Sequence, residues 1–514
     1  MRTVQNQSCG KWTLAIKWPA ETGSMKGQSN MQTRMGKHGQ SGHPLIMLID
    51  CISGRSLAII SAHVFFFLLI AFADGVDYKA KLSIFIFLSA VTLWISTKLP
   101  AGFIAFASIV FIILMNGASQ ELLYLSLSEE VVWLMVGAFI IGEAVEQSGL
   151  TGRFIQFILG KSRTPAKLKS GMISFLFASV FFIPSTSARA AMARPVIIHL
   201  ASRLTVKEKK TLTITIPIVI LMSTSAALIG AGSHVIGVGL LETGAGQSIS
   251  YLQWLMWGLP FALIMTIVSS IAVQWMVRSD KELEESPFIP NIQDTPPQMP
   301  LTGAEIKTLI IVSLLIIGWM TDSFHGYDLA FVSIIGAIAL TMPNMGVITW
   351  KQGLKAVSWN LILFVAAASA LGKILVENGV ADWMEGKITG FLQIFTDAPD
   401  WIMAAVILII TVTSHLYITS HTTRAIILVP GIILFSQSMG MNPYAAVFIS
   451  LIGMNYCITF PVSSKALLLF YEDDELSYDA GILAKLSAIL MPLYIAIAVI
   501  FYCTYWQWTG MSLY

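Results

Sequence analysis

Long apolar runs separated by short polar breaks dominate this chain. Stretches without a charged residue cover positions 56–73, 82–97, 99–115, 211–241, 251–277, 308–321, 329–349, 401–423, 425–464 and 486–514. They are continuous rather than alternating, which predicts helices and excludes barrel strands. Several are too long for one crossing, and Gly, Pro and polar residues break them up. Since a bilayer core of about 30 Å takes about 20 apolar residues per helix, the runs predict about 11 membrane-crossing helices.

Two stretches depart from this pattern. Residues 1–44 are polar and rich in Gly, Ser and Gln, which predicts a disordered N-terminal tail without the apolar core of a secretory signal. Residues 278–303 hold Asp280, Glu282, Glu284 and Glu285 with several prolines and read as an extramembrane linker. The membrane portion thereby divides into 45–277, a first repeat with a leading helix, and 304–514, a second repeat.

Composition agrees with the pattern. Charged residues make up 12% and hydrophobic residues 55% of the 514, too few charges to cover a water-soluble surface. The chain therefore reads as a multi-pass integral membrane protein. A net charge of +2 gives no ground for a nucleic-acid partner. Cys9, Cys51, Cys457 and Cys503 are scattered without CxxC spacing, so neither a disulfide framework nor a zinc site is expected. The loop with Arg153, Lys161, Arg163, Lys167 and Lys169 belongs in the cytoplasm by the positive-inside rule. Residues 202–210 are also basic, and if one span separates the two loops the rule cannot hold for both.

The chemistry lies in a duplicated motif. Ser185-Thr186-Ser187-Ala188-Arg189-Ala190, ending at Pro195, matches Ser420-His421-Thr422-Thr423-Arg424-Ala425, ending at Pro430, at an offset of 235 residues throughout. Upstream, Gly142 and Gly149 match Gly372 and Gly379 at an offset of 230. Two matches in the same order argue for duplication of a large unit. Both tripeptides interrupt apolar segments, and non-helical backbone at membrane depth survives where it lines a polar cavity. Interrupted segments at corresponding places in two halves point to a transporter's binding site. Ser and Thr hydroxyls and freed helix amides suit an anion, and an arginine one turn on would add a bidentate fork. Arg189 and Arg424 are thus expected to grip the anion jointly, with Ser185, Thr186, Ser187, Ser420, His421 and Thr422. The segments ending at Gly149 and Gly379 read as re-entrant hairpins. Ser185 has no His or Asp near it in sequence to act as a base, so a hydrolase is not expected. No catalytic residue, metal site or cofactor is assigned.

With these motifs in place the sequence resembles the divalent anion:sodium symporter family. Ser185-Thr186-Ser187 and Ser420-His421-Thr422 stand where that family has two Ser-Asn-Thr tripeptides, and Ser148-Gly149-Leu150 and Asn378-Gly379-Val380 stand at its hairpin ends. The sequence Pro184-Ser185-Thr186-Ser187-Ala188-Arg189 is closest to the family's exchanger branch. The resemblance implies an all-α membrane fold with two re-entrant hairpins in two inverted repeats, a homodimer, and a small divalent organic or inorganic anion as substrate, carried by alternating access. It also implies ion sites beside the tripeptides, here around Gly232, Ser233, Ser463, Ser464 and Lys465. Lys465 stands where Pro is expected and would put an ammonium in place of a cation. Exchange is therefore the expected mode, with sodium or proton symport and a passive anion channel as alternatives, and sodium not favoured. A bacterial inner membrane is the expected location.

Overall fold

In hydrocarbon every backbone N–H and C=O needs a partner within its own segment, so charge-free runs close into helices. The computed structural model describes residues 54–278 and 300–514, apart from positions 74, 98, 151, 154–155, 158–163, 184, 202–203, 381–382, 384–397 and 472–477. The tail expected at 1–44 and almost all of the expected linker lie outside the described residues. Among the described residues the regular elements are helices and there is no strand.

In chain order the helices used below are α1 (Gly54–Ala71), α2 (Tyr78–Ser96), α3 (Ala101–Leu114), α4 (Glu130–Gln147), α5 (Pro165–Ala178), α6 (Thr186–Ala201), α7 (Val206–Ser223), α8 (Gly232–Ala245) and α9 (Tyr251–Arg278). After the linker come α10 (Gly303–Met320), α11 (Leu329–Thr341), α12 (Trp359–Glu377), α13 (Asp400–Thr413), α14 (His421–Ser438), α15 (Pro443–Asn455), α16 (Lys465–Tyr471) and α17 (Ala480–Phe501). Five described helices are long and apolar enough to cross a bilayer on their own: Tyr78–Ser96, Tyr251–Val277, Gly303–Met320, Trp359–Glu377 and Ala480–Trp506. Large apolar side chains such as Phe65 and Phe67 on α1 and Ile271 and Trp275 on α9 stand exposed. In water such patches would be costly; facing lipid they cost nothing.

The series α2–α9 recurs as α10–α17, element for element, and the packing is reciprocal. Helix α3 packs on α12 as α11 packs on α4, and α2 meets α12 as α10 meets α4. Likewise α8 packs on α14 and α16 on α6. Two glycines permit the closest of these approaches. A Cβ at Gly102 of α3 would lie 2.8 Å from the Asn360 carbonyl oxygen at the start of α12, and one at Gly137 of α4 would lie 2.7 Å from Ser333 Cβ of α11.

The two series run in opposite senses. From the central cavity, α6 leads through Ala188 and Met192 to a pocket shared with Glu143 and Glu146 near the end of α4. Helix α14 instead leads through Pro430 and Ile433 to Thr243 and Gly244 at the end of α8. The α8 end also carries Glu242, which shares a pocket with Glu130 at the start of α4. The start of α4 and the far part of α14 thus lie on one side, and the end of α4 and the far part of α6 on the other. This is the inverted-repeat arrangement.

That geometry removes the charge conflict seen in the sequence. Helix α5 has 14 residues, about 21 Å of helix at 1.5 Å per residue, too short for the bilayer. It ends at the cavity, where the chain turns at Ser185 and α6 returns toward the end of α4. The two basic loops are therefore not separated by a span. Lys167 and Lys169 stand with Lys207, Lys209 and Lys210 on one face, which the positive-inside rule makes cytoplasmic.

The hairpins expected at Gly142–Gly149 and Gly372–Gly379 are corrected in position. These segments are the last turns of the continuous helices α4 and α12, and the chain turns at the tripeptides instead. Gly149 and Gly379 have φ +86° and +71°, the left-handed conformation that ends a helix and that glycine adopts without strain. The inverted arrangement predicts a labelling result. Gln147 and Glu377, both exposed near these ends, should as single added cysteines react with an impermeant maleimide from opposite faces of the membrane. Labelling of both from one face would refute the opposed ends.

Candidate functional site

Four helix beginnings converge on a cavity of about 650 Å³. Helices α6 and α14 start at the two tripeptides, α8 starts at Gly232, and α16 starts at Lys465. Each follows a non-helical joint, because hydroxyl-bearing residues and glycine favour breaks and N-caps over helix interiors. Ser185 Oγ accepts from the Ala188 amide at 3.2 Å, Ser420 Oγ from the Thr423 amide at 3.3 Å, and Ser464 Oγ from the Ala466 amide at 3.2 Å. Remaining amides at helix starts are donors without intrahelical partners, and the helix dipole adds partial positive charge there.

The structure brings most of the expected residues together. Ser185, Thr186, Ser187, Ser420, His421 and Thr422 line the cavity, with Gly232, Ser233, Ser464 and Lys465. Among the described lining residues Lys465 is the one that carries a charge, and it is exposed. Ser233 is 1% exposed, and its hydroxyl has no hydrogen-bond partner among the described residues. The opposite wall was not anticipated. It comes from Leu134, Met135, Ala138 and Phe139 of α4 and from Ser358, Asn360, Leu361 and Phe364 at the start of α12. A trace of it is visible in the sequence as polar Ser358 and Asn360 flanking Trp359 at the head of an apolar run.

Arg189 and Arg424 are the main correction. Both are fully buried, and neither lines the cavity. Arg189 donates through Nη1 to Ser223 Oγ at 3.0 Å, and through Nη2 to the Ile220 carbonyl at 3.1 Å and Thr224 Oγ1 at 3.0 Å. Arg424 donates through Nη1 to the Tyr456 carbonyl at 3.2 Å. Ile220 lies in the last turn of α7, and Tyr456 is the C-cap of α15. Helix C-termini leave carbonyls unsatisfied and carry the negative end of the dipole. Each arginine therefore caps the helix that precedes the break in its own repeat. Ser463 is likewise buried behind the cavity rather than in its wall. Two other histidines are held internally: His234 Nε2 meets Asn455 Oδ1 at 2.8 Å, and His415 Nε2 meets Thr459 Oγ1 at 2.6 Å.

The duplicated helices, the converging starts and the reciprocal packing agree with a comparison to known proteins. The family described as "Sodium:sulfate symporter transmembrane region" matches residues 54–512. The chain belongs to this family. It is a membrane transporter of the secondary type and not an enzyme. Among similar proteins is a citrate/succinate antiporter of Escherichia coli strain K12, 24% identical over 440 residues, covering 76% of this chain and 86% of the relative. A sodium-dependent dicarboxylate transporter (SdcS) of Staphylococcus aureus strain NCTC 8325 is 20% identical over 467 residues, covering 83% and 86%. In fold, the chain is similar to the YdaH transporter of Alcanivorax borkumensis, with a TM-score of 0.56 at 13% identity, over 84% of this chain and 99% of that one.

Proposed function

We propose that the protein exchanges small divalent anions, di- or tricarboxylates or sulfate, across the bacterial inner membrane by alternating access and without sodium. Lys465 carries this reading: a residue with a fixed positive charge stands in the wall of the cavity where both tripeptides meet. Ser185, Thr186, Ser187, Ser420, His421 and Thr422 supply hydroxyl, imidazole and amide donors to the anion. Arg189 and Arg424 act one step behind them, adding positive potential while each holds a helix end. Neither has a carboxylate partner among the described residues.

Gly232, Ser233 and Ser464 offer oxygens that would suit a small cation, but Lys465 competes for the same ground. A fixed charge about 4 Å from sodium would repel it by about 4 kcal/mol at an effective dielectric of 20, roughly a thousandfold in affinity. The homodimer and the inner-membrane location come from the family resemblance. The test is uptake into proteoliposomes with lumenal anion and external sodium varied independently. Uptake that needs a loaded lumen and is unchanged in choline is expected. Steep sodium dependence would overturn the reading in favour of symport, and downhill flux needing neither would indicate a channel.

A further inference from the structure

The two repeats differ in how they meet at the cavity. In the first, α8 lies along α4: a Cβ at Gly239 would stand 2.9 Å from Val131 Cβ, and one at Gly232 3.8 Å from Met135 Cε. Between these contacts Leu134 and Val235 line both the central cavity and a second cavity of about 370 Å³ beside Glu130 and Glu242. The α4–α8 contact is therefore the partition that closes the site toward the extracytoplasmic face. The second repeat holds its counterpart. The short turns Leu228–Gly230 and Pro461–Ser463 correspond, and the residues after them, Ala231 and Ser464, have φ −146° and −150° with ψ 146° and 140°. Lys465 is thus the equivalent of Gly232, and by the offset of 230 Leu361 and Phe364 are the equivalents of Val131 and Leu134. This counterpart stands open: α16 packs on α6 and α7, while Lys465, Leu361 and Phe364 stand in the cavity wall.

Closing the cytoplasmic side in the same way would lay α16 along α12. At the first partition Gly232 brings no side chain to the contact; at the second Lys465 brings an ammonium. Positions 361–368 of α12 hold only Leu, Ile, Phe, Val and Ala, which offer it no polar side chain. A charge taken out of water without a partner is strongly disfavoured, and one paired with an anion much less so. We propose that Lys465 makes closure of the cytoplasmic side conditional on cargo. Helix α16 closes on α12 only when a bound anion pairs the ammonium, so the empty carrier stays open to the cytoplasm. This rests on reading the cavity as the anion site, and it supplies the physical reason for obligatory exchange.

The test has two readouts on the full chain, with choline as the cation and labelled succinate as the probe. The first is efflux from proteoliposomes at saturating lumenal succinate. Wild type and Lys465→Arg should release label only when the outer medium holds succinate. Lys465→Ala should release it into anion-free medium at least about tenfold faster than wild type, because the empty carrier can now close. The second readout needs no transport. Leu361→Cys, with Cys9, Cys51 and Cys503 replaced by serine and buried Cys457 left in place, is labelled with an impermeant maleimide in inside-out vesicles. Succinate should slow its reaction. Adding Lys465→Ala should slow it at least about twofold without succinate, as closed carriers become populated. A Lys465→Ala carrier that stays strictly coupled and labels as fast as its parent would overturn the proposal and leave the exchange reading standing. Wild-type release into anion-free medium would overturn both. A wild type that moves no succinate would count against the exchange reading alone, and the labelling pair would still decide the closure.

Discussion

Replacing Lys465 by alanine should reduce anion exchange at least a hundredfold at subsaturating substrate. Among the described residues lining the cavity it alone carries a full charge; the rest are hydroxyls, amides, an imidazole and apolar side chains. Removing one partner of a desolvated charge pair costs about 2–5 kcal/mol, much of it from leaving the other charge unpaired. Helix starts contribute only about half a charge each, and their effect falls off within a turn. They therefore cannot replace an ammonium. Lys465→Arg keeps the charge in a larger fork and should retain part of the activity. The alanine variant also tests the coupling argument from the other side. With the fixed cation gone, the oxygens of Ser233 and Ser464 become free to hold a small cation, so sodium should recover part of the lost uptake. Counterflow by wild type and both variants, in sodium and in choline, reads all of this. Wild-type exchange by Lys465→Ala would mean that the ammonium points away from the anion.

The helical class, the duplication and the tripeptides were legible because each leaves a one-dimensional trace. Apolar runs mark spans, and Ser185–Ser187 and Ser420–Thr422 mark the polar breaks in them. The far wall of the cavity was less legible, since Phe139, Leu361 and Phe364 look like any other apolar helix residues until the two repeats are interlocked. The position of the turns was misread for a related reason. A glycine such as Gly149 signals a left-handed cap equally well in a hairpin and at a helix end, and no local signal separates the two. Once the turn moves to Ser185, the basic residues on either side of it fall on one face, and the conflict between those two loops disappears.

The arginines show where residue chemistry and residue role part. Matching cations beside two anion-suited tripeptides suggest a clamp, because an arginine in a span costs roughly 2.5–3.5 kcal/mol and needs a partner. The partner is the backbone: the carbonyl ends of α7 and α15. Arg189→Ala should consequently lower stability more than affinity. It removes three hydrogen bonds to a charged donor, and such bonds are worth about 1.5–3 kcal/mol each, so a non-additive total of about 3–5 kcal/mol is expected. Arg189→Lys retains a point charge at the end of α7 but not the fork, and should fall between. The measurements are thermal unfolding of the purified protein in detergent and the KM of the folded fraction in proteoliposomes. A clear fall in unfolding temperature with less than a tenfold change in KM is the expected pattern. An unchanged unfolding temperature with a hundredfold rise in KM would instead show that the guanidinium swings from α7 into the cavity and binds the anion directly.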